Sequence, residues 1–365
     1  MLYRSLAPLL KLAAAAFAVL LLIDLSLFRS GLYYRWAEPE STAGSVVRAM
    51  MTIRREYEPE RRNVLVLGNS RISEGFSAQI ADSASGRSDL HFINGSIAGM
   101  TPRGWYYVLR TIDPDANRFA AIALMVDYDV AETRLDMTNY PLDTPYLMPL
   151  LRLSDLRDYP DSFTDDAERE RARRSILLPL QAMHNDVQNM LAHPLERRDV
   201  QRRSRRNAAY WAAHYGGQDA VLPDLQLDAA GMPVAWGADE AQLKPRLEPY
   251  FHALRDPPAV ELQSANAAYL REWLTRIAQR YSASNVPIIV FVVPRGPWHE
   301  RQAPVPTLAG PVAELAAAGR VTPLPGVAFV SLEQPQFFFD AAHMNRYGRE
   351  RFSNLFAQQI AERVH

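Results

Sequence analysis

Three side chains in this 365-residue sequence have the types used in nucleophilic acyl chemistry. Ser70 ends the run Val64-Leu65-Val66-Leu67-Gly68-Asn69-Ser70. Asp340 and His343 stand three apart, just ahead of a helical stretch. A serine hydroxyl is a weak nucleophile until a base stands beside it. In a tight turn, a carboxylate three residues before a histidine can accept a hydrogen bond from one imidazole nitrogen. The other nitrogen is then left to take a proton from a hydroxyl. Each residue also has a plainer use. Ser70 would N-cap the next helix, Asp340 or Asn345 would cap the last one, and His343 would lie on the surface.

A second stretch, Asn94-Gly95-Ser96-Ile97-Ala98-Gly99-Met100-Thr101, supplies a further element. A glycine such as Gly99 can bring its backbone N–H close to a developing oxyanion, beside the N–H of Ser70. The alternative is a plain turn. Arg71, next to Ser70, and Arg295, at the end of an apolar run, are candidates for substrate contact or for structural ion pairs. No H-E-x-x-H set and no glycine-rich phosphate loop is present, so neither a metal nor a nucleotide cofactor is expected. The absence of cysteine excludes disulfides and thiolate chemistry.

These residues need a scaffold, and the apolar pattern indicates one. Val64–Leu67, His91–Asn94, Ala120–Val126, Pro287–Val293 and Val327–Leu332 read as short strands covered on both faces. Helical stretches fall between them. Trp105–Ile112 is ended by Asp113-Pro114. Leu270, Trp273, Leu274, Ile277 and Tyr281 share one helical face, and Phe352, Leu355, Phe356 and Ile360 share another. This alternation predicts an α/β domain with a parallel sheet. Ser70 would lie beyond the carboxyl end of its first strand, where open α/β sheets place reactive groups.

From about residue 139 to 262 the alternation fades and prolines punctuate the chain, which reads as a large, mostly helical insertion. Asp166–Leu191 reads as one or two charged helices. Arg197, Arg198, Arg202, Arg203, Arg205 and Arg206 form a basic stretch that is either a solvated face or a contact for lipid phosphates or an anionic polymer. Trp211, Tyr215, Trp236, Tyr250 and Phe251 are scattered aromatics suited to core packing or to stacking on sugar rings.

The formal net charge of −1 gives no field that would gather nucleic acid. Leu6–Phe28 is apolar apart from Pro8, Lys11, Asp24 and Ser26, and is about long enough to cross a bilayer. Arg4 and Lys11 favour a cytoplasmic N-terminus. The rival, a cleaved signal peptide, lacks a small-x-small site before a polar start. The expected organisation is a cytoplasmic tip and anchor at 1–28, a stalk at 29–60 containing a helix from Ser45 to Tyr57, a first α/β part at 61–138, the insertion at 139–262 and a second α/β part at 263–365.

Taken in order, Gly68-Asn69-Ser70, Asn94 to Thr101 and Asp340-Ala341-Ala342-His343 resemble blocks of the SGNH (GDSL-type) hydrolase superfamily. Asn69 replaces its usual aspartate, and Gly99 matches its oxyanion glycine. The resemblance covers roughly residues 60–135 and 265–365 and implies a three-layer, flavodoxin-like parallel sheet. It also implies a catalytic set of Ser70, Asp340 and His343, with Ser70 and Gly99 forming the oxyanion hole. One block departs. The family's third block carries an asparagine, whereas this chain has Val126-Asp127-Tyr128-Asp129. Either Tyr128 or another donor replaces it, or the hole is weaker, at a cost on the order of a hundredfold in rate.

With an anchor and an exported domain, the chain is similar to membrane-anchored SGNH-like proteins of polysaccharide and cell-wall O-acylation. The resemblance implies a single-pass protein of a bacterial inner membrane with its bulk in the periplasm, working with a multi-span membrane acyltransferase. An acyl group, expected to be acetyl, would pass through Ser70 to a hydroxyl of a polysaccharide or cell-envelope polymer. An esterase or deacetylase would use the same triad. A non-catalytic scaffold in polysaccharide assembly would keep only the fold.

Overall fold

The computed structural model describes residues 2–126, 135–237, 239–255, 259–298 and 310–364. The chain forms two compact units. One comprises Met1–Arg48 and Pro141–Ala209, the other Ala49–Tyr140 and Tyr210–His365. The expected insertion is thereby divided, because its part beyond residue 209 belongs to the unit that carries the sheet.

That unit is built on five parallel strands in the order β2-β1-β3-β4-β5. They are β1 (Arg62–Leu67), β2 (Leu90–Asn94), β3 (Ala121–Met125), β4 (Ile288–Phe291) and β5 (Thr322–Pro323). The register pairs Val64 with Phe92 and with Ala121, and Leu124 with Val290. Both sheet faces are covered. On one, Val64, Val66, Phe92, Ala123 and Phe291 share a core with Ile72, Phe76, Phe352, Phe356 and Ile360. On the other, Leu65, Ile93, Ile122, Leu124 and Val290 are fully buried. Parallel strands need such double cover because their crossover helices lie on the faces.

Phe356 fixes the C-terminal helix, Arg346–Ala361, to this sheet. Its ring packs 5.2 Å from Phe76 and 4.7 Å from Phe291. The loop ahead of that helix is thereby held near the segment that follows β1. β1 lies between β2 and β3, so the chain leaves its carboxyl end at the point where the strand order reverses. Open α/β sheets form their crevice there.

Three expectations are corrected. Val327–Leu332 is not the last strand. Val330–Leu332 is a single 3₁₀ turn, and the place beside β4 is taken by Thr322–Pro323. Phe329 and Leu332 are both buried at a spacing of three, which suits a turn and not alternation. Pro323 cannot donate to a ladder, so it sits on an edge strand. The helix Thr42–Glu56 is not a free stalk, because Met50 and Ile53 are buried and Ile53 lies close to Gly95. Asp166–Leu191 is broken into the helices Asp166–Leu177, Pro179–Ala182 and His184–Ala192. Pro179 forces Leu178 out of helical geometry, to ψ 62°.

The other unit begins with the helix Leu2–Ile23, which continues as a wider helical turn over Asp24–Arg29. Leu10–Arg29 is long and apolar enough to cross a membrane, with a mean hydropathy of 2.2. Beyond it, Phe28, Tyr33, Tyr34, Ala37, Met148 and Met183 form a small core. Arg197 closes this core. It is buried against Glu38 at 3.1 Å and Asp186 at 3.0 Å, and it donates to the Trp36 carbonyl at 2.9 Å. The remaining arginines of the basic stretch, Arg198, Arg202, Arg203, Arg205 and Arg206, are exposed.

Candidate active site

β1 ends in a tight exit. A Cβ on Gly68 would lie 2.4 Å from Cγ1 of Ile72, so only glycine lets the following helix, Ser70–Gly75, turn back so closely. That helix is capped by Asn69, whose side chain accepts the Arg71 N–H at 2.9 Å. The plainer reading of Ser70 as the cap therefore does not hold, and its hydroxyl points elsewhere.

It meets His343. Oγ of Ser70 lies 2.8 Å from Nε2 of His343, across a separation of 273 residues. Nδ1 of the same ring lies 2.9 Å and 3.1 Å from the two carboxylate oxygens of Asp340. Asp340 Oδ1 also accepts the N–H groups of Ala342, at 2.8 Å, and His343, at 2.7 Å. This turn fixes the carboxylate before it touches the ring. Burial alone would raise the Asp340 carboxyl, but the hydrogen bonds from the His343 ring and from these two N–H groups outweigh it. The carboxyl is held below its ordinary range. Phe339 stacks on the His343 ring at 5.8 Å between centroids and 19° between planes. The cap of the last helix is Asn345, which accepts from Tyr347 N–H at 3.0 Å and Gly348 N–H at 3.1 Å. Asp340 is thus not consumed as a helix cap.

The Asn94–Thr101 loop is bound to the same corner. Asn94 donates to the Phe76 carbonyl at 3.1 Å and accepts from the Ser96 hydroxyl at 2.6 Å. Ile97 N–H donates to the Gly68 carbonyl at 3.0 Å. Gly99 follows with φ +73°, a left-handed conformation that a side chain would strain. Among the described residues, neither the Ser70 N–H nor the Gly99 N–H has an acceptor.

The other candidates fall differently. Arg71 lies beside Ser70, and its guanidinium donates to the Pro294 carbonyl. Arg295 is buried and holds Glu333 in a paired contact, Nε to Oε1 at 2.8 Å and Nη2 to Oε2 at 2.7 Å. It therefore pins the segment after β4 to the 330s loop, the structural ion-pair alternative. Tyr128, with Asp127 and Asp129, lies outside the described residues.

One cluster near the triad joins two of the scattered aromatics, Trp211 and Tyr215, to Glu74 and Arg349, which had no role in the sequence reading. Glu74 stands one helical turn after Ser70 and accepts a hydrogen bond from the Tyr215 hydroxyl. Burial raises its carboxyl, while His343 and Arg349 pull it down. Arg349 lies over the Tyr215 ring at 4.8 Å and donates to the carbonyls of Ser73 and Glu74 at 3.0 Å and 2.7 Å, closing the helix end. Trp211 packs against Tyr215 with 4.4 Å between ring centroids and 41° between planes, and is 53% exposed. The i, i+4 spacing from Ser70 to Glu74 was a local signal. The arrival of Tyr215 had none, because its contacts are long-range. A cavity of about 440 Å³ lies at the amino ends of β4 and β5, the far end of the sheet from the triad.

The arrangement is chemically complete for proton transfer from a hydroxyl to an imidazole that a carboxylate orients. No family model matches this chain, and no curated protein matches it.

Proposed function

We propose that this chain is an SGNH-like, membrane-anchored O-acyltransferase of the bacterial cell envelope, with its sheet-bearing unit in the periplasm and Ser70 as the acyl carrier. The observation that carries the reading is the chain of contacts Ser70 Oγ, His343 Nε2, His343 Nδ1, Asp340, at the point where the strand order reverses.

In the first step His343 takes the Ser70 proton while Oγ attacks the carbonyl of an acyl donor. Asp340 keeps the proton of Nδ1 in place and stabilises the imidazolium. The N–H groups of Ser70 and Gly99 receive the oxyanion. The tetrahedral intermediate collapses, its bond to the leaving group breaks, and His343 returns the proton to that group. In the second step a sugar hydroxyl loses its proton to His343 and attacks the acyl-serine, which releases the ester and restores Ser70. A multi-span acyltransferase in the same membrane is the donor side of this scheme. Water in place of the sugar would make the same site an esterase or deacetylase.

A serine-directed fluorophosphonate tests the reading. The expected result is a covalent adduct on Ser70, absent in Ser70→Ala and strongly diminished in His343→Ala. Labelling of Ser70 at the same rate in wild type and His343→Ala would remove the activated nucleophile and with it the enzyme. Acyl transfer to a polysaccharide hydroxyl in excess of hydrolysis then separates transferase from esterase.

A further inference from the structure

The unit that carries the apolar N-terminal helix also presents apolar side chains that its own core leaves uncovered. Arg29, the last residue of the apolar span, donates through Nη2 to the carbonyls of Ile176 and Leu177 at 2.6 Å and 3.5 Å. Its Nε also holds Asp24 at 2.7 Å. The end of the helix Asp166–Leu177 is thereby tied to the point where the span ends. At that tie Ile176 is buried, but the next two residues turn outward. Leu177 is 49% exposed and Leu178 is 53% exposed. Leu32, three residues after Arg29, is 45% exposed.

The height of these residues is fixed. Phe28 packs on Tyr33 with 4.7 Å between centroids, and both belong to the core that includes Met148 and Met183. Arg197 and Asp186 clamp the segment that follows the span, through Glu38, Trp36 and the Tyr33 hydroxyl. The loop at 177–178 therefore stays level with residue 29. A bilayer crossed by Leu10–Arg29 would have its outer boundary at that level.

We infer that Leu177 and Leu178, with Leu32, form a second contact with the bilayer, dipping into the acyl–headgroup boundary beside the exit of the N-terminal helix. Leucine side chains at that depth leave water for hydrocarbon, while Arg29 keeps its charge at the headgroups. Continuity with the span selects the lipid surface as the occupant. The consequence is a unit held against the membrane at two points and restrained from swinging about one helix. This inference rests on the reading of Leu10–Arg29 as a membrane span.

The chain has no cysteine, so a single introduced thiol reports on one position. Full-length Leu178→Cys, Leu177→Cys and Leu20→Cys proteins, each carrying an environment-sensitive fluorophore, are reconstituted into phosphatidylethanolamine–phosphatidylglycerol vesicles. The vesicles contain lipid bearing a nitroxide either near the headgroup or deep in the acyl chain, and quencher-free vesicles serve as reference. The expected result is blue-shifted emission at residues 177 and 178, quenched more by the shallow nitroxide than by the deep one, with residue 20 quenched more by the deep one. Quenching at residue 20 with none at 177 and 178 keeps the span and overturns the second contact. Absence of quenching at residue 20 overturns the span itself.

Discussion

Asn69 accepts the Arg71 N–H at 2.9 Å, and this cap is what leaves the hydroxyl of its neighbour Ser70 to face His343. An exposed helix start takes whichever short polar side chain reaches its N–H groups. Here two candidates stand side by side, and the extended backbone of Asn69, φ −95° and ψ −155°, gives it the cap.

Replacing Asn69 with alanine should therefore act twice. Loss of the cap costs about 1 kcal/mol of stability, measurable by urea unfolding. Ser70, now free to take over the cap, should lose phosphonate labelling. Asn69→Asp, which keeps an acceptor, should retain both properties. Full labelling in Asn69→Ala would show that Ser70 is positioned by something else.

Gly68→Ala should be destabilised by about 1–3 kcal/mol, because the new methyl meets Ile72 Cγ1 at 2.4 Å and Met125 Cβ at 3.2 Å. Adding Ile72→Ala removes the Cγ1 clash but keeps Ile72 Cβ at 2.8 Å, so the double variant should recover only part of the loss attributable to Gly68→Ala. A double-mutant cycle in denaturant reads the coupling.

The pH dependence has a definite sign at Asp340. Its carboxyl is depressed below 3.8 in the fold by the groups that donate to it. The stability it contributes is fully present above its unfolded value, and is lost as pH falls through the folded value. Asp340→Asn should flatten that acidic part of the stability profile. Identical acid limbs in the two proteins would refute the assignment.

Arg295 and Glu333 form a pair whose side chains are 2% and 1% exposed. Arg295→Met should cost about 3–5 kcal/mol by stranding a buried carboxylate. Arg295→Met with Glu333→Leu should recover most of it. A variant that keeps its stability but loses affinity for acceptor would instead return Arg295 to substrate binding.

Trp211 packs against Tyr215, which reaches Glu74 one turn from Ser70. If an acceptor glycan approaches Ser70 over this platform, Trp211→Ala should raise KM for the polymer about tenfold, as loss of one aromatic contact of about 1.4 kcal/mol would. Phosphonate labelling of Ser70 should be unchanged. Steady-state acylation kinetics with the isolated polymer provide the measurement.

The sequence by itself determined the local pieces. Buried runs such as Val64–Leu67 suit strands covered twice, and four of the five strands lie where such runs stand, although the run Val327–Leu332 ends in a 3₁₀ turn. A glycine after β1, a serine beyond it, and a carboxylate three residues before a histidine are local patterns, so these residues were legible as candidates without coordinates. The apolar length of Leu6–Phe28 was equally plain, and the helix long and apolar enough to cross a membrane, Leu10–Arg29, overlaps it. Contacts between distant segments were decided only by the tertiary structure. Packing of Phe356 on Phe76 and Phe291 brings the last helix onto β1's face and His343 to Ser70. The competition between Asn69 and Ser70 for one cap, the withdrawal of Arg295 into Glu333, and the arrival of Tyr215 at Glu74 were settled the same way. Periodicity reports which face of an element is buried. It does not report which distant side chain fills the space opposite, because that depends on how the whole core closes.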